Sequence, residues 1–207
     1  MHAGGWTVII PVKPAATAKS RLGLGPELAR ALALDTVAAV VACEPVVRVI
    51  VVTSDPGFRP PGAEIATEES PAGIDAALRS GAGLAGERSQ AGPLAALLGD
   101  LPSLRPADLA AALTLAAGHP RAFVADRESS GTTLVTAAAG LPLLTAFGPD
   151  SAAAHRAAGL VQLELPPGST VTADVDTVEQ LDRARLLGLG PATLAALAAR
   201  RGGVGTW

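Results

Sequence analysis

The chain has 207 residues, 49% of them apolar but only 2% aromatic, which suits one domain with a core packed from Val, Leu, Ile and Ala and excludes a disordered chain. A formal net charge of -3 excludes a basic nucleic-acid footprint and a polybasic membrane anchor. One cysteine, Cys43, excludes an internal disulfide framework, Arg48 interrupts the best candidate for a membrane span, and the HAGGW start lacks a signal-peptide layout, so the expectation is a cytoplasmic protein with one domain over 1–207 and a frayed tail from about 200.

Residues 7–12 (TVIIPV) are a continuous β-branched run, the mark of a strand buried on both faces. A Pro/Ala/Lys loop follows, and the spacing then predicts a helix over about 26–43. Residues 46–53 (VVRVIVVT) predict a second buried strand, 64–67 a short third, and 72–85 a helix. Residues 93–99 (PLAALLG) fit a strand or a short helix by periodicity. We read a strand, because Asp100, Pro102 and Pro106 stop it and a helix-like stretch at 107–117 follows. Residues 121–125 (RAFVA) begin another strand. Strands alternating with helices predict an α/β fold with a mostly parallel, doubly wound sheet, in which ligands sit at the carboxyl ends of the strands.

Residues 133–138 (TLVTAA) and 142–147 (PLLTAF) flank a Gly140 turn and predict a β-hairpin. Folding about Gly140 would set Thr133 opposite Phe147 and Gly148. Asp150 or Ser151 would then cap the small helix AAAHRAAG and leave free N–H groups at its start. Thr133, Gly148 and Ser151 are thereby expected to converge on an anion-sized pocket; an ordinary hairpin with an N-cap is the plainer alternative.

The first strand runs into PVKPAATAKSRLG, which places Lys13, Lys19, Ser20 and Arg21 at or near a strand's carboxyl end. Lys13 and Lys19 are the only lysines in the chain. Three cations and a hydroxyl can neutralise a triphosphate, so all four residues are candidates for nucleotide binding. Lys13, Lys19 and Arg21 are the candidates for stabilising charge as pyrophosphate leaves. Neither GxxxxGK[ST] nor GxGxxG is present, and a solvated basic loop stays open.

Asp100 follows the run PLAALLG directly, where a carboxylate can hold a hard cation. In TADVDTVEQL, Asp174 and Asp176 alternate and would face one side if extended. Asp174 is the favoured ligand, nearer the strand end, while Thr177 with Gln180 reads as a capping box. DRESSGTT offers hydroxyls and N–H groups for a phosphate or carboxylate, and Asp126 and Arg127 suit either a loop ion pair or substrate contact. His2, His119 and His155 fit no metal or triad pattern and are each assigned a surface role, and Cys43 reads as a small core residue.

Taken together, VIIPVKPAATAKSRLG, LLGDLPSL, ADRESSGTT, FGPDSAAAHRAAG and DVDTVEQL resemble, in this order, the phospholactate/phosphoenolpyruvate guanylyltransferases of coenzyme F-420 biosynthesis. The resemblance implies a Rossmann-like nucleotidyltransferase fold of GT-A type. It implies transfer of GMP from GTP to phosphoenolpyruvate (or 2-phospholactate) with release of pyrophosphate. It also implies Thr133, Gly148 and Ser151 as phosphoenolpyruvate positions, Asp100 and an aspartate of DVD as metal positions, and the basic loop as the GTP-phosphate loop. Oxygen ligands favour Mg2+. The sequence departs from the pattern at Asp75, where an asparagine is expected. Two other readings stay open. One is a molybdopterin or sugar-phosphate nucleotidyltransferase, whose GGxSxRMG loop is missing here. The other is a non-catalytic nucleotide-binding module, which would bind GTP without releasing pyrophosphate. No nucleic-acid or membrane partner is expected, and a homo-oligomer stays open.

Overall fold

The computed structural model describes residues 4–13, 25–68, 72–86 and 92–202, with side chains to residue 200. Seven strands form one sheet: β1 (Trp6–Pro11), β2 (Val46–Thr53), β3 (Glu64–Thr67), β4 (Leu94–Leu97), β5 (Arg121–Ala125), β6 (Thr132–Ala137) and β7 (Val161–Gln162). Their order is β3-β2-β1-β4-β6-β5-β7. β1 pairs in parallel with β2 and β4, β2 with β3, and β5 with β7. Only β6 runs against its neighbours, antiparallel to both β4 and β5.

The periodicity of the strands sorts the core into two layers. Alternate side chains of a strand point to opposite faces. Val8, Ile10, Val49, Val51, Leu97 and Leu134 therefore fall on one face with Val37, Leu109 and Leu113. Ile9, Ile50, Val52, Ala96, Phe123 and Val135 fall on the other with Leu78 and Ala152. The first face is covered by α1 (Gly25–Val41) and α3 (Pro106–Ala116), the second by α2 (Ile74–Gly86) and α4 (Ser151–Ala157). A third cluster joins Leu28 and Leu32 of α1 to Val175 and to Leu181 and Ala184 of α5 (Val178–Leu187). Leu197 of α6 (Pro191–Gly202) packs against this cluster. Asp35 of α1, 6% exposed, fixes α6 by accepting the N–H groups of Ala192 at 3.0 Å and Thr193 at 2.7 Å.

The direction of β6 follows from chain length. Only residues 126–131 separate β5 from β6, too few for a crossover helix, so the two strands form a tight antiparallel pair. This corrects the predicted hairpin of 133–138 with 142–147. The turn at Gly140 does form, with φ 79° and a Leu141 N–H to Ala138 carbonyl bond of 3.0 Å. Residues 142–147 do not pair back, because β4 and β5 already occupy both edges of β6. Pro142 also lacks an N–H for a ladder. At the C-terminus, α6 runs to Gly202, and the remainder of the tail expected to fray, residues 203–207, lies outside the described residues.

Candidate active site

Lys13 just past β1, Leu98 just past β4, the β5–β6 loop and segments 147–151 and 174–177 meet at one edge of the sheet. They enclose a cleft of about 690 Å³, inside the range of small-molecule sites. Its walls carry Lys13, Asp126, Ser130, Thr132, Gly148, Ser151, Asp174 and Asp176, with Leu98 and Phe147 as apolar surface. An adjoining recess of about 210 Å³ is lined by Lys13, Gly99, Asp100 and Asp176. The two share Lys13, Ile74, Leu98 and Asp176, so they open into each other. Asp100 and segment 174–177 are tied by the backbone, Val175 N–H donating to the Asp100 carbonyl at 3.0 Å. The structure thus brings Lys13, Asp100, Asp174 and Asp176 to one sheet edge. The other residues of the predicted nucleotide loop, Lys19, Ser20 and Arg21, lie outside the described residues.

The cleft is acidic among the described residues: Asp126, Asp150, Asp174 and Asp176 line it against Lys13. Carboxylate oxygens of Asp126, Glu128 and Asp174 lie within 4.8 Å of one another, a grouping able to hold a metal ion. All-oxygen donors suit a hard divalent cation. Two of the three also have structural duties. Asp126 accepts the N–H groups of Ser130 at 3.0 Å and Gly131 at 2.8 Å, shaping the β5–β6 loop, and Glu128 pairs with Arg183 at 2.8 Å. Asp126 and Arg127 do not form the loop ion pair considered above: Asp126 turns onto its own loop backbone, and the Arg127 N–H reaches the Thr172 carbonyl at 3.0 Å. The predicted capping box is present. Thr177 accepts from the Gln180 N–H at 3.2 Å, and Gln180 Oε1 accepts the N–H of Thr177 at 2.9 Å and of Asp176 at 2.7 Å.

Gly148 and Ser151 both line the cleft; Thr133 does not. The β5–β6 register shifts so that Ala125 faces Thr132 while Val124 faces Leu134, which leaves Thr133 as the extra residue of a bulge. Its side chain is fully buried and its hydroxyl has no hydrogen-bond partner among the described residues. Its carbonyl accepts the Leu98 N–H at 3.0 Å, next to the strand end that carries Asp100. Gly148 has φ 147°, a left-handed conformation that favours glycine.

The start of α4 differs from the sequence expectation. Asp150 occupies the cap position with φ 55° and makes no side-chain cap bond. The first N–H groups are not free: Ser151 donates to the Gly148 carbonyl at 3.2 Å and Ala152 to the Ser130 carbonyl at 3.1 Å. These bonds lash α4 to both flanking loops.

His155, expected at the surface, is instead 1% exposed. Its Nδ1 lies 2.9 Å from Thr132 Oγ1, and its Nε2 accepts the Ala146 N–H at 2.9 Å. Burial pushes its pKa below 6.5, against the Asp75 carboxylate and the Ser151 backbone, which pull it up. The signal available in the sequence was spacing: Ser151, Ala152 and His155 stand at i, i+1 and i+4 of one short helix and share its buried face. Asp75, the position that departs from the expected pattern, lines neither recess; its Oδ1 accepts the Phe147 N–H at 3.2 Å.

No family model matches the chain. Similar proteins with assigned activities are plentiful. The phosphoenolpyruvate guanylyltransferase of Streptomyces coelicolor is 48% identical over 205 residues, covering 94% of this chain and 96% of that protein. That of Thermomonospora curvata is 44% identical, covering 94% and 89%. Among solved structures, a nucleotide-diphospho-sugar transferase assignment from Desulfovibrio desulfuricans superposes with a TM-score of 0.64 at 17% identity over 95% of both chains. CMP:2-keto-3-deoxy-manno-octonic acid synthetase, solved with CTP, superposes with 0.51 at 16%, covering 88% and 98%. A Mycobacterium tuberculosis protein solved with manganese gives 0.53 at 16%, covering 88% and 98%. These structures fix the fold as that of the nucleotidyltransferases, an α/β Rossmann-like sheet with flanking helices. The sequence relationships, close and spanning nearly the whole chain, are narrower, and by them the chain belongs to the phosphoenolpyruvate guanylyltransferase family of nucleotidyltransferases.

Proposed function

We propose that the chain, acting as one catalytic domain in the cytoplasm, joins phosphoenolpyruvate to the GMP moiety of GTP. The products are enolpyruvoyl-2-diphospho-5′-guanosine and pyrophosphate, a step of coenzyme F-420 biosynthesis. The substrate's own phosphate attacks the α-phosphorus of GTP. A phosphate monoester is largely dianionic near neutral pH, its second pKa being about 6, so no general base is required. What the reaction requires is relief of repulsion between two polyanions.

The observation that carries this reading is the meeting of Lys13, Asp100, Asp174 and Asp176 in two connected recesses at the sheet edge. A cleft whose described charge is mainly carboxylate accepts phosphates only when cations stand between them. Asp100 and Asp174 are our metal ligands, with Asp126 and Glu128 close enough to share the duty, and Mg2+ is the cation we assign. When bound it supplies charge neutralisation and polarises the phosphoryl oxygens. Lys13, with Lys19, Ser20 and Arg21, receives the triphosphate and steadies the leaving pyrophosphate. Gly148 and Ser151 line the acid side of the cleft; Thr133 keeps its proposed role on the family resemblance alone, one residue from the lining residue Thr132.

The test is pyrophosphate release from GTP with phosphoenolpyruvate or 2-phospholactate, with mass spectrometry of the product. Release only with phosphoenolpyruvate supports the proposal, release only with 2-phospholactate moves the acceptor, and GTP binding without release removes the reaction.

A further inference from the structure

The ring of His155 is held on every side. Phe123 and Phe147 flank it, with centroids at 5.7 and 5.4 Å. Its two nitrogens meet Thr132 Oγ1 and the Ala146 N–H, each at 2.9 Å. A backbone N–H can only donate, so Nε2 must be the bare nitrogen. The ring proton then sits on Nδ1, where Thr132 Oγ1 and the Ser151 backbone carbonyl can both accept it. That bond leaves the hydroxyl hydrogen of Thr132 available to another acceptor, and Thr132 is a wall of the main cleft.

The other arm of the ring governs the opposite wall. Ala146 immediately precedes Phe147 and Gly148, both of which line the cleft. The next N–H along, that of Phe147, is taken by Asp75 Oδ1 at 3.2 Å. Two consecutive backbone donors are thus held by side chains from α4 and α2, in a segment with no strand ladder of its own. The depressed pKa of His155 keeps the ring neutral near pH 7, as this arrangement needs.

We propose that His155 is a positioning residue for the acid substrate: its neutral Nδ1–H tautomer fixes the Ala146–Gly148 wall and commits the Thr132 hydroxyl to donating into the cleft, toward an anionic oxygen of the acceptor. This rests on the phosphoenolpyruvate reading above and extends it to residues which that reading does not use.

Two measurements test it. In the 15N-labelled full chain, a long-range 1H–15N correlation reports the tautomer; Nδ1–H with bare Nε2 is expected, and Nε2–H overturns the inference. Steady-state kinetics then compare His155→Gln, which keeps an acceptor toward Ala146, with His155→Asn, which keeps a partner for Thr132, and with His155→Phe and Thr132→Val. His155→Phe and Thr132→Val are expected to raise KM for phosphoenolpyruvate on the order of tenfold while KM for GTP stays within about twofold, and Gln or Asn recovers part of the loss. An unchanged phosphoenolpyruvate KM in these variants, or equal rises for both substrates, overturns it. Should His155→Phe not fold, the tautomer and Thr132→Val decide. The tautomer needs no substrate, so it separates the two levels of argument: a wild-type chain inactive with phosphoenolpyruvate but carrying Nδ1–H ends the substrate reading and the substrate-facing half of this inference.

Discussion

Val175 donates its backbone N–H to the carbonyl of Asp100 at 3.0 Å, joining the loop after β4 to the segment that precedes α5. The tie is between main chains, so the Asp100 side chain can be changed without cutting it. Asp100→Asn is expected to lower kcat on the order of 10²- to 10³-fold while the circular dichroism spectrum and thermal midpoint hold. Pyrophosphate release measures the first, and normal turnover in this variant removes Asp100 from the site.

Lys13 is the one lysine or arginine lining the main cleft among the described residues. Lys13→Ala is expected to lower kcat/KM for GTP on the order of 100-fold. Raising magnesium should not restore it, because a hydrated ion cannot occupy the position of a tethered ammonium. Full recovery at high magnesium would show that Lys13 contributes only general charge.

A pH effect follows from His155. Its folded pKa lies below the ordinary 6.5 because of burial. Between the folded value and 6.5 the unfolded chain binds more protons than the folded one, so stability rises with pH through that window and is lost as pH falls below 6.5. Urea midpoints should therefore decline between about pH 7 and pH 5, and the His155 share of that decline should vanish in His155→Gln. An identical slope in both proteins would assign the effect to other groups.

The thiol of Cys43 is buried, and desolvation pushes its pKa up to about 11. The thiolate is the reactive form, so a disulfide reagent at pH 8 should leave the native protein unmodified and titrate one thiol after denaturation. Rapid native labelling would mean that the helix end opens readily.

Asp35 holds α6 through two short bonds in a buried setting. Asp35→Ala leaves two N–H groups without their carboxylate. It should cost about 2–3 kcal/mol, a fall of roughly 5–10 °C in Tm for a chain of this size. The substituted carboxylate does not line the cleft, so kcat of the folded fraction should be unchanged.

Much of this architecture was legible because the signals were long or local. TVIIPV and VVRVIVVT read as buried strands, and β1 and β2 lie at those positions, with the start of β2 opening to solvent at Val47. The choice of a strand for PLAALLG rested on the stops that follow it, and β4 covers Leu94–Leu97. The hairpin failed for a non-local reason: a two-strand signal around Gly140 does not reveal that β6 is sandwiched between β4 and β5. His155 was misplaced because a histidine among alanines reads as polar decoration unless its phase within a seven-residue helix is weighed. Asp126 reads from the sequence as a loop ion-pair or substrate residue and Glu128 carries no signal of its own, because their proximity to Asp174 joins segments distant in sequence.

The antiparallel insertion of β6 also divides the labour of the chain. Part of the rim comes from Lys13, Ile74 and Leu98 of the parallel half, and Asp174, Asp176 and Thr177 join it from the segment before α5. The rim bearing Ser130, Thr132, Gly148 and Ser151 comes from a single uninterrupted stretch. Exchanging that stretch as a cassette between homologous enzymes would transplant this wall whole, with the strand that supports it and the histidine that braces it, onto an unaltered parallel half.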